Sequence, residues 1–552
     1  MSRSCSWIRF GLLLALWFSA ACHAGATSYY LHPLRGNDDN SGTNELAPFK
    51  TLARANKIGL HAGDQVLLAA GQKFEGQLAF ENARGTLSNP IVLSSFPGKT
   101  ENTDDRAWIE AKGMVAGVCL KNCAYMEVAN LKISANGGGM LPGQIVKADQ
   151  RHGVFIVASE PGEFAGFTLT NLEVKDIYFE QPGFIRNPAD TKTANGTQSY
   201  GWGIKILVTD PAARLRDLTV TDCDIENVSH TGLQFTSPQD GLRNVEVQNV
   251  RLSHTGGPGV QMSGLTDGHF SRLDVNGSGS TNDTRNWKRG SGLWTWNCNN
   301  VVIEKSRFQN ANGPGDSAGV HIDYNCRNVI VQKNFSANNA GGFCEILGNN
   351  YNCAYRYNVS VNDGWRTKGV NGAMQEGKTF WLSGYVGGKK QTGPFNTYFY
   401  NNTVFVRQGI AAKIAVSPTA RGVLIANNIF YFEGESRTVK GDQTRTDAGK
   451  ASPAIEDVVF KNNLFLRRNN WPAALSLQDQ HPVIGDPEFL NPGSLKAADY
   501  LPGKSQLVKN RGITISPIPN DEFGLSGGLK MEQDILGQPV IGFPDLGAIE
   551  TK

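Results

Sequence analysis

Residues 292–323 read GLWTWNCNNVVIEKSRFQNANGPGDSAGVHID and contain the pattern that decides the fold. A glycine is followed by a short strand of alternating residues, Leu293–Trp296, and then by a second strand, Val301–Phe308. The next glycine of this kind, Gly319, starts the same pattern again. Strands this short cannot bury an apolar face alone, so a repeat of this length predicts a solenoid of stacked coils.

The pattern recurs over much of the chain. Alternating pentapeptides begin at Gly153, Gly203, Gly232, Gly259, Gly292, Gly319 and Gly342. Asparagine recurs at the turn after the second strand, at Asn334, Asn358, Asn402, Asn428 and Asn463. No amphipathic helices separate the strands, which excludes βαβ units, and hairpin turns are sparse, which disfavours a β-sandwich. The sequence therefore predicts an all-β protein, a right-handed parallel β-helix, with stacked asparagines that bond neighbouring coils.

The composition agrees with a protein made of strands and turns. The 552 residues include 63 glycines and 47 asparagines, both poor helix formers, and only 19% of the residues are charged. Hydrophobic residues make up 40%, so the chain can bury a large core, and global disorder is excluded. We expect one elongated domain, with the β-helix over 25–484 and a C-terminal segment over 485–552 that packs on it.

The first 24 residues have the pattern of a signal peptide. Arg3 and Arg9 precede a short apolar run, and small residues precede Gly25. The run is too short to span a membrane; acylation of Cys22 is the alternative reading. Without the two arginines the formal charge falls from +3 to +1, which gives no electrostatic reason to expect binding to nucleic acid or anionic membranes. We expect a secreted or periplasmic monomer without a membrane span.

Stretches near both ends of the mature chain carry a family resemblance. The N-terminal stretches are YYLHP at 29–33, GND at 36–38, SGT at 41–43, PFKTL at 48–52 and GDQV at 63–66. The C-terminal stretches are DPEF at 486–489 and DLGAIE at 545–550. With these motifs the chain resembles the pectate-lyase-like superfamily of secreted parallel β-helix proteins. The resemblance implies a carbohydrate-active enzyme, but the superfamily contains lyases, glycosidases, epimerases and phage depolymerases, so it does not fix the reaction.

The period of two in the repeat predicts which side chains point away from the core. If Val320 and Ile322 point inwards, His321 and Asp323 point outwards. The same rule applied to each repeat predicts two outward columns. The first column contains Lys205, Gln234, Gln261, Trp294, His321 and Phe343. The second column contains Leu207, Thr236, Ser263, Trp296, Asp323 and Glu345.

Two acidic residues of the second column form the candidate catalytic pair. Asp323 and Glu345 are 22 residues apart, about one coil, so we expect their carboxyl groups to be ~5–6 Å apart. This separation is close to the ~5–5.5 Å of a retaining glycosidase. Two carboxyl groups this close cannot both ionise freely, so one keeps a proton near neutral pH. By likeness to β-helix glycosidases that act on β-xylosides, Asp323 would be the nucleophile and Glu345 the acid/base residue.

Neighbouring residues would complete a sugar-binding site. Trp294 and Trp296 would stack against sugar rings, since an exposed pair is costly unless it is covered. His321 would hold a sugar hydroxyl or orient Asp323. Asp316 would be either a catalytic residue or a turn residue that binds its own backbone. Further candidates for substrate binding are Phe343, Gln261, Lys205, Lys288, Arg289 and Arg366.

Two insertions, near 178–200 and 367–394, are expected to shape the groove. The alternative role for the tryptophan pair is to pack under the second insertion. This insertion also contains GAMQEGKT at 372–379, which matches the P-loop pattern of nucleotide-binding proteins. The motif has no preceding apolar strand and no following helix, so nucleotide binding is not expected.

The leading interpretation is an enzyme, namely a secreted, retaining glycoside hydrolase that degrades a polysaccharide or oligosaccharide without a cofactor. The first alternative is a polysaccharide lyase or uronate epimerase. It needs a lysine or arginine as base, for which Lys205, Lys288, Arg289 and Arg366 are candidates, and often calcium, for which Asp316 and Asp323 are candidate ligands. The first column has no clear base beside the acids, which disfavours this alternative. The second alternative is a non-catalytic glycan-binding β-helix, which would need the tryptophan pair but not the carboxyl pair.

Overall fold

The structure is a computed structural model, which describes residues 25–97, 105–138, 150–197, 199–238, 240–280, 282–441, 455–475 and 477–551. The expected leader, 1–24, lies outside the described residues. Strands form three long sheets, and every pairing between neighbouring strands is parallel. The protein is an all-β, right-handed parallel β-helix, which confirms the prediction from the repeat.

From the third coil onwards, each coil adds one strand to each of three sheets, called front, flank and back in chain order. In the described residues the front sheet contains the strands Leu78–Glu81, Ala116–Lys121, Arg151–Ala158, Gly201–Val208, Leu233–Thr236, Val260–Ser263, Leu293–Trp296, Val320–Tyr324, Gly342–Ile346, Lys378–Leu382, Ala412–Val416 and Ser436–Thr438. The flank sheet contains the strands Ser28–Leu31, Gln65–Ala69, Ile91–Phe96, Met126–Ala129, Gly162–Thr170, Ala213–Thr221, Leu242–Gln248, Leu265–Ser271, Asn299–Glu304, Arg327–Gln332, Ala354–Arg356, Phe395–Tyr400, Arg421–Ala426 and Val458–Lys461. The back sheet contains the strands Lys73–Glu75, Ala107–Glu110, Leu131–Asn136, Glu173–Tyr178, Asp224–Val228, Arg251–Thr255, Asp274–Asn276, Arg307–Gln309, Phe335–Ala337, Val359–Val361, Thr403–Val406, Ile429–Phe432, Leu464–Phe465 and Val483–Ile484.

Helical structure is confined to short segments. One α-helical turn, Leu52–Ala55, is capped by Thr51, whose Oγ1 accepts the Arg54 N–H at 3.1 Å. Short 3-10 turns lie at Asp190–Lys192, Arg468–Asn470, Ala497–Tyr500 and Ser505–Leu507. No helix among the described residues is long and apolar enough to cross a membrane.

The interior of the β-helix is a continuous apolar core. The period of two places Leu293 and Thr295 inside the front sheet, and both are fully buried. Strand by strand, each inward residue stacks on its copy in the next coil, as Leu293 does on Val320. The corners between sheets are turned by residues with positive φ, most of which are asparagine, aspartate or glycine. This use of asparagine at corners explains part of its excess in the sequence.

A buried asparagine ladder runs along the coils, as the repeat predicts. Asn334, Asn358, Asn402 and Asn428 each donate an Nδ2–H to the Oδ1 of the asparagine in the following coil, at 2.9–3.2 Å. The last acceptor is Asn463. The same oxygen atoms also accept backbone N–H groups of the preceding coil. Each side chain therefore satisfies buried backbone groups that the sheets leave unpaired at the turn.

Asn428→Ala is expected to lower the free energy of unfolding by ~2–4 kcal/mol, because each buried polar group left unpaired costs about 1–3 kcal/mol. Asn428 accepts hydrogen bonds from the backbone and side chain of Asn402 and donates to Phe399 and Asn463. Urea unfolding measures the loss. The matched control is Asn187→Ala, which removes one local bond from an exposed loop. Equal losses in the two variants would contradict a structural role for the ladder.

The C-terminal residues cover two of the three sheets from outside. Phe489, Tyr500 and Leu546 pack with Val359 and Phe405, which lie on back-sheet strands. A second cluster joins Ile518, Leu525 and Met531 to outward residues of the flank sheet, Ile330, Tyr398, Tyr400 and Leu424. The front sheet is therefore the face left for a binding site.

Candidate active site

A cavity of about 540 Å³ lies on the outer face of the front sheet. Its lining includes outward residues from six successive strands of this sheet, from Gly201–Val208 to Gly342–Ile346. The insertions also contribute, through Ala194 and Asn195 on one side and residues 385–387 on the other. Both insertions therefore shape the site, as the sequence predicts.

The strand register confirms most of the two outward columns. In the first column, the residues that pair from strand to strand are Lys205, Gln234, Gln261, Trp294 and His321. In the second column they are Leu207, Thr236, Ser263 and Trp296. All of these except Leu207 line the cavity.

The register changes at the strand Val320–Tyr324. Trp296 pairs with Tyr324 and not with Asp323, because an irregularity follows Thr295 in the ladder. One coil further, Ile322 pairs with Ile346, which places Glu345 beside His321. The carboxyl of Glu345 thus belongs to the column of His321, one step from the predicted position above Asp323. Both acids still line the same cavity.

Phe343 does not point outwards, and its predicted contact with substrate is wrong. Its ring is buried in the core and packs edge-on against Tyr355 and Phe399, at 5.6 and 6.1 Å between ring centroids. The preceding coils have glycine at the start of the front strand, where a Cβ would point at core side chains: at Gly292 it would lie 2.9 Å from Phe308. Phe343 takes this corner position, so its side chain turns inwards.

Three carboxyl groups line the cavity, and their environments separate their pKa values. Burial is the main cause that raises the pKa of Asp323 to about 7, with a further contribution from the negative charge of Asp316. Burial also raises the pKa of Glu345 to about 8, opposed by Lys378 and reinforced by Asp323. In contrast, the charge and hydrogen bonds of Arg289 hold the pKa of Asp316 below its usual value, against burial. Near neutral pH, Asp316 is ionised, whereas Asp323 and Glu345 bind protons more tightly than ordinary carboxyl groups do.

Two buried arginines hold Asp316 in place. Arg289 binds both carboxylate oxygens, with Nε–Oδ2 at 2.8 Å and Nη2–Oδ1 at 3.1 Å. Its Nη1 donates to backbone carbonyls of the first insertion, including those of Lys192 and Thr193. Arg366 donates to the backbone carbonyl of Asp316 at 2.9 Å. The arginine pair thus connects a cavity carboxylate to the insertion that forms one wall.

Of the predicted cationic contacts with substrate, the structure supports two positions in the cavity. Lys205 lines the cavity, donates to Gln150 Oε1 at 3.1 Å and lies over the Trp202 ring. Arg289 lines the cavity, but its bonds to Asp316 make it a positioning group. The cavity lining does not include Lys288 or Arg366, so the structure does not bring these two predicted residues into the site. The guanidinium group of Arg366 instead donates hydrogen bonds to three backbone carbonyls.

Trp294 and Trp296 both line the cavity, as predicted. The second insertion reaches Trp296, because Lys389 Nζ lies 4.9 Å from the centre of that ring. Trp296 also packs against Tyr324 at 4.8 Å between centroids. Both rings therefore line the cavity, and the second insertion packs against Trp296.

An aromatic stack that the repeat does not predict also lines the cavity. His230 lies between Trp287 and Trp202, at 4.6 and 5.2 Å between centroids. Burial lowers the pKa of His230 to about 3, so the imidazole is neutral. Trp202 has the same parity as Ile204, which points into the core, so the period of two predicts an inward position and gives no signal that Trp202 lines the cavity. Trp287 lies in a loop, where parity gives no information.

The geometry gives no support for calcium at Asp316. Both oxygens of this carboxylate are taken by Arg289. Among the described residues, no group of three or more His, Cys, Asp and Glu side chains could hold a metal ion. The cavity lining offers carboxyl groups, two imidazoles, indole rings and the ammonium group of Lys205.

Comparison with known proteins points to carbohydrate-cleaving relatives. No family model matches the chain. The lacto-N-biosidase of Bifidobacterium longum subsp. longum is 23% identical over 97% of this chain, which spans only 37% of that enzyme's length. Among solved structures, a lacto-N-biosidase of glycoside hydrolase family 136 from Eubacterium ramulus has a TM-score of 0.49 and 17% identity, covering 83% of this chain and 68% of that one. XylC in complex with xylose has a TM-score of 0.48 and 9% identity, covering 95% of this chain and 98% of that one. The chain is thus similar, over nearly its whole length, to part of a lacto-N-biosidase.

Proposed function

We propose that the protein is a glycoside hydrolase that cleaves an oligosaccharide or polysaccharide in the front-sheet cavity. The observation that carries the proposal is the group of three carboxyls, Asp316, Asp323 and Glu345, in one cavity lined by tryptophans. Hydrolysis of a glycosidic bond needs one carboxyl that donates a proton and a second that acts as a base or nucleophile. Carboxyls with separated pKa values can divide these tasks.

In the proposed mechanism, Glu345 is the acid/base residue and Asp323 the nucleophile. The Asp323 carboxylate attacks the anomeric carbon while Glu345 gives its proton to the leaving oxygen, which forms a glycosyl-enzyme. Glu345 then takes a proton from water, whose oxygen attacks the anomeric carbon and releases Asp323. Two observations support these roles. Among the described residues, no group donates a hydrogen bond to the Asp323 carboxyl, so its oxygens are available. Burial raises the pKa of Glu345, as a proton donor that works near neutral pH requires.

We infer that the substrate is uncharged near the scissile bond. The relative from Bifidobacterium is named a lacto-N-biosidase, so glycosides of lacto-N-biose are the first substrates to test. The cavity walls support this class, because Trp294 and Trp296 offer apolar faces for sugar rings.

Hydrolysis is expected to release reducing ends without any product that absorbs as an unsaturated uronate. The test incubates the protein with the p-nitrophenyl glycoside of lacto-N-biose and a panel of neutral and acidic glycans. Reducing ends and absorbance are followed together. Absorbance from unsaturated uronates would show a lyase and overturn the proposal. Tight binding of a glycan without turnover would show a non-catalytic glycan-binding β-helix.

We also propose that the protein is exported and acts as a monomer. The support for export is the sequence pattern of residues 1–24 alone. N-terminal sequencing of the protein from the culture medium or periplasm tests it, with Gly25 as the expected first residue. A chain that keeps residues 1–24 would contradict cleavage.

A further inference from the structure

A buried hydroxyl lies beside the only histidine that stands among the three cavity carboxyls in the described residues. Ser291 Oγ is 3.1 Å from His321 Nδ1, and it accepts the Ala318 N–H, also at 3.1 Å. Ser291 is fully buried, in the turn that precedes the strand Leu293–Trp296. Both Ser291 and His321 line the cavity. The contact therefore joins Ser291, in the preceding coil, to the imidazole of His321 beside the proposed catalytic acids.

The proton of the Ser291 hydroxyl decides the tautomer of His321. The contact with Ala318 uses a lone pair of Oγ, so the hydroxyl proton needs another acceptor. Among the described residues, His321 Nδ1 is the acceptor in hydrogen-bonding contact with this hydroxyl. If Nδ1 carried the ring proton instead, a buried hydroxyl would stay unsatisfied, which is costly. Nδ1 therefore accepts, and the proton of the neutral ring lies on Nε2.

The Nε2–H group is available in the cavity. Among the described residues, Nε2 has no hydrogen-bond partner, and this atom is accessible from the cavity. The imidazole stacks on Trp294, with 6.1 Å between centroids and planes 29° apart, which fixes its orientation. Burial lowers the pKa of His321 to about 4, so the ring stays neutral over the range in which the carboxyls would work.

The position of this donor limits what it can bind. Asp323 follows His321 by two residues on the same strand, and Glu345 lies beside His321 on the next strand, with Oε1 3.9 Å from Nδ1. Because the imidazole is neutral and Glu345 has a raised pKa, this contact is not an ion pair. The donor thus lies in the same cavity as the two acids, where the sugar unit at the cleaved bond would be bound. The acceptors available on such a unit are hydroxyl and carbonyl oxygens.

We propose that Ser291 is a positioning residue that holds His321 as the Nε2–H tautomer, and that this N–H binds an oxygen of the sugar at the cleaved bond. The second half of this proposal rests on the proposed function, whereas the tautomer does not. Specificity follows from the arrangement, because a neutral donor with a fixed direction discriminates against a sugar that lacks the acceptor. If the imidazole could exchange tautomers, Nε2 would carry the proton in only part of the molecules, and only those molecules would discriminate between the sugars.

The tautomer is tested by nitrogen-15 NMR of the protein labelled at histidine. The His321 signals are assigned by their absence from the spectrum of His321→Gln. At neutral pH we expect Nε2 to be protonated and Nδ1 to be unprotonated in the wild type and in Ser291→Thr, which keeps the hydroxyl. In Ser291→Ala we expect a mixture of tautomers. A protonated Nδ1 in the wild type, or an unchanged spectrum in Ser291→Ala, would overturn the proposal, with or without enzymatic activity.

The hydrogen bond to substrate is tested by an isosteric pair of variants on the p-nitrophenyl glycoside of lacto-N-biose. The amide N–H groups of glutamine can reach the position of Nε2, whereas those of asparagine lie near Nδ1. We expect His321→Gln to keep about tenfold more kcat/KM than His321→Asn, and Ser291→Ala to lose about tenfold while Ser291→Thr stays near wild type. Equal losses of kcat/KM in the glutamine and asparagine variants would contradict a hydrogen bond from Nε2 to the substrate. If the wild type hydrolyses no glycan in the panel, the proposed function is wrong. The NMR experiment still determines the tautomer in that case.

Discussion

Asp323→Asn and Glu345→Gln should each lower kcat/KM at least ~1,000-fold, because each removes a group that acts on the reacting atoms. Both substitutions keep the size of the side chain, and both replace a buried carboxyl of raised pKa by a neutral amide, so folding should be preserved. The double variant should lose little more than the worse single variant, since the two carboxyls act as a unit. Steady-state kinetics on the p-nitrophenyl glycoside of lacto-N-biose measures the losses.

The leaving group separates the two roles. A 2,4-dinitrophenyl glycoside has a leaving group that needs no proton, so Glu345→Gln should recover much of its loss in the first step on this substrate. Asp323→Asn should recover nothing, because its missing group forms the bond to the anomeric carbon. The matched control is Asp274→Asn, which alters an exposed carboxylate on the back sheet. Near-wild-type activity in either cavity variant would show that the acid in question has no catalytic role.

The repeat made the fold and the floor of the cavity predictable. Glycine spacing and the period of two placed Gln234, Gln261 and Trp294 in one column, because parallel coils of similar length keep one register. The period of two does not hold at Phe343, whose ring lies in the core, and Glu345 lies one column away from its predicted position. There the coil is shorter and the ladder is irregular, so counting residues no longer fixes which side chains are neighbours.

Features outside the repeat were not accessible to this reasoning. The bidentate bond between Arg289 and Asp316 joins a loop to a turn, and the sequence of neither segment has an alternating pattern of inward and outward residues. Asp316 has a positive φ, as expected of a turn residue, yet its side chain reaches into the cavity. Trp287 reaches the site because the insertion folds back: Trp287 Nε1 donates to the carbonyl of Asp190 at 3.1 Å. These contacts depend on tertiary packing of loops, which local sequence does not specify.

The activity of the wild type should follow a bell-shaped pH profile centred near pH 7 to 8. The active form has one proton shared by Asp323 and Glu345, whose pKa values are raised to about 7 and about 8. Below this range the nucleophile is protonated, and above it the acid has lost its proton. The two apparent pKa values of the kcat/KM profile describe the coupled pair and cannot be assigned to either residue alone. A profile that is flat from pH 5 to 9 would contradict the assignment of both roles.

Asp316→Asn should move this profile towards acid and not simply lower it. The negative charge of Asp316 contributes to the raised pKa of both Asp323 and Glu345, and its removal also leaves the positive charge of Arg289 unpaired nearby. Both changes stabilise the ionised carboxyls, so the alkaline limb should fall by about one to two pH units, since a charge within a few ångströms shifts a pKa by ~1–3 units. Activity at pH 8 should therefore drop at least ~10-fold more than activity at pH 6. The pH dependence of kcat/KM measures the shift, and Asp274→Asn again serves as the control. An equal loss at every pH would show instead that Asp316 acts directly on the reacting atoms, because a group that only tunes its neighbours cannot remove activity without moving the limbs.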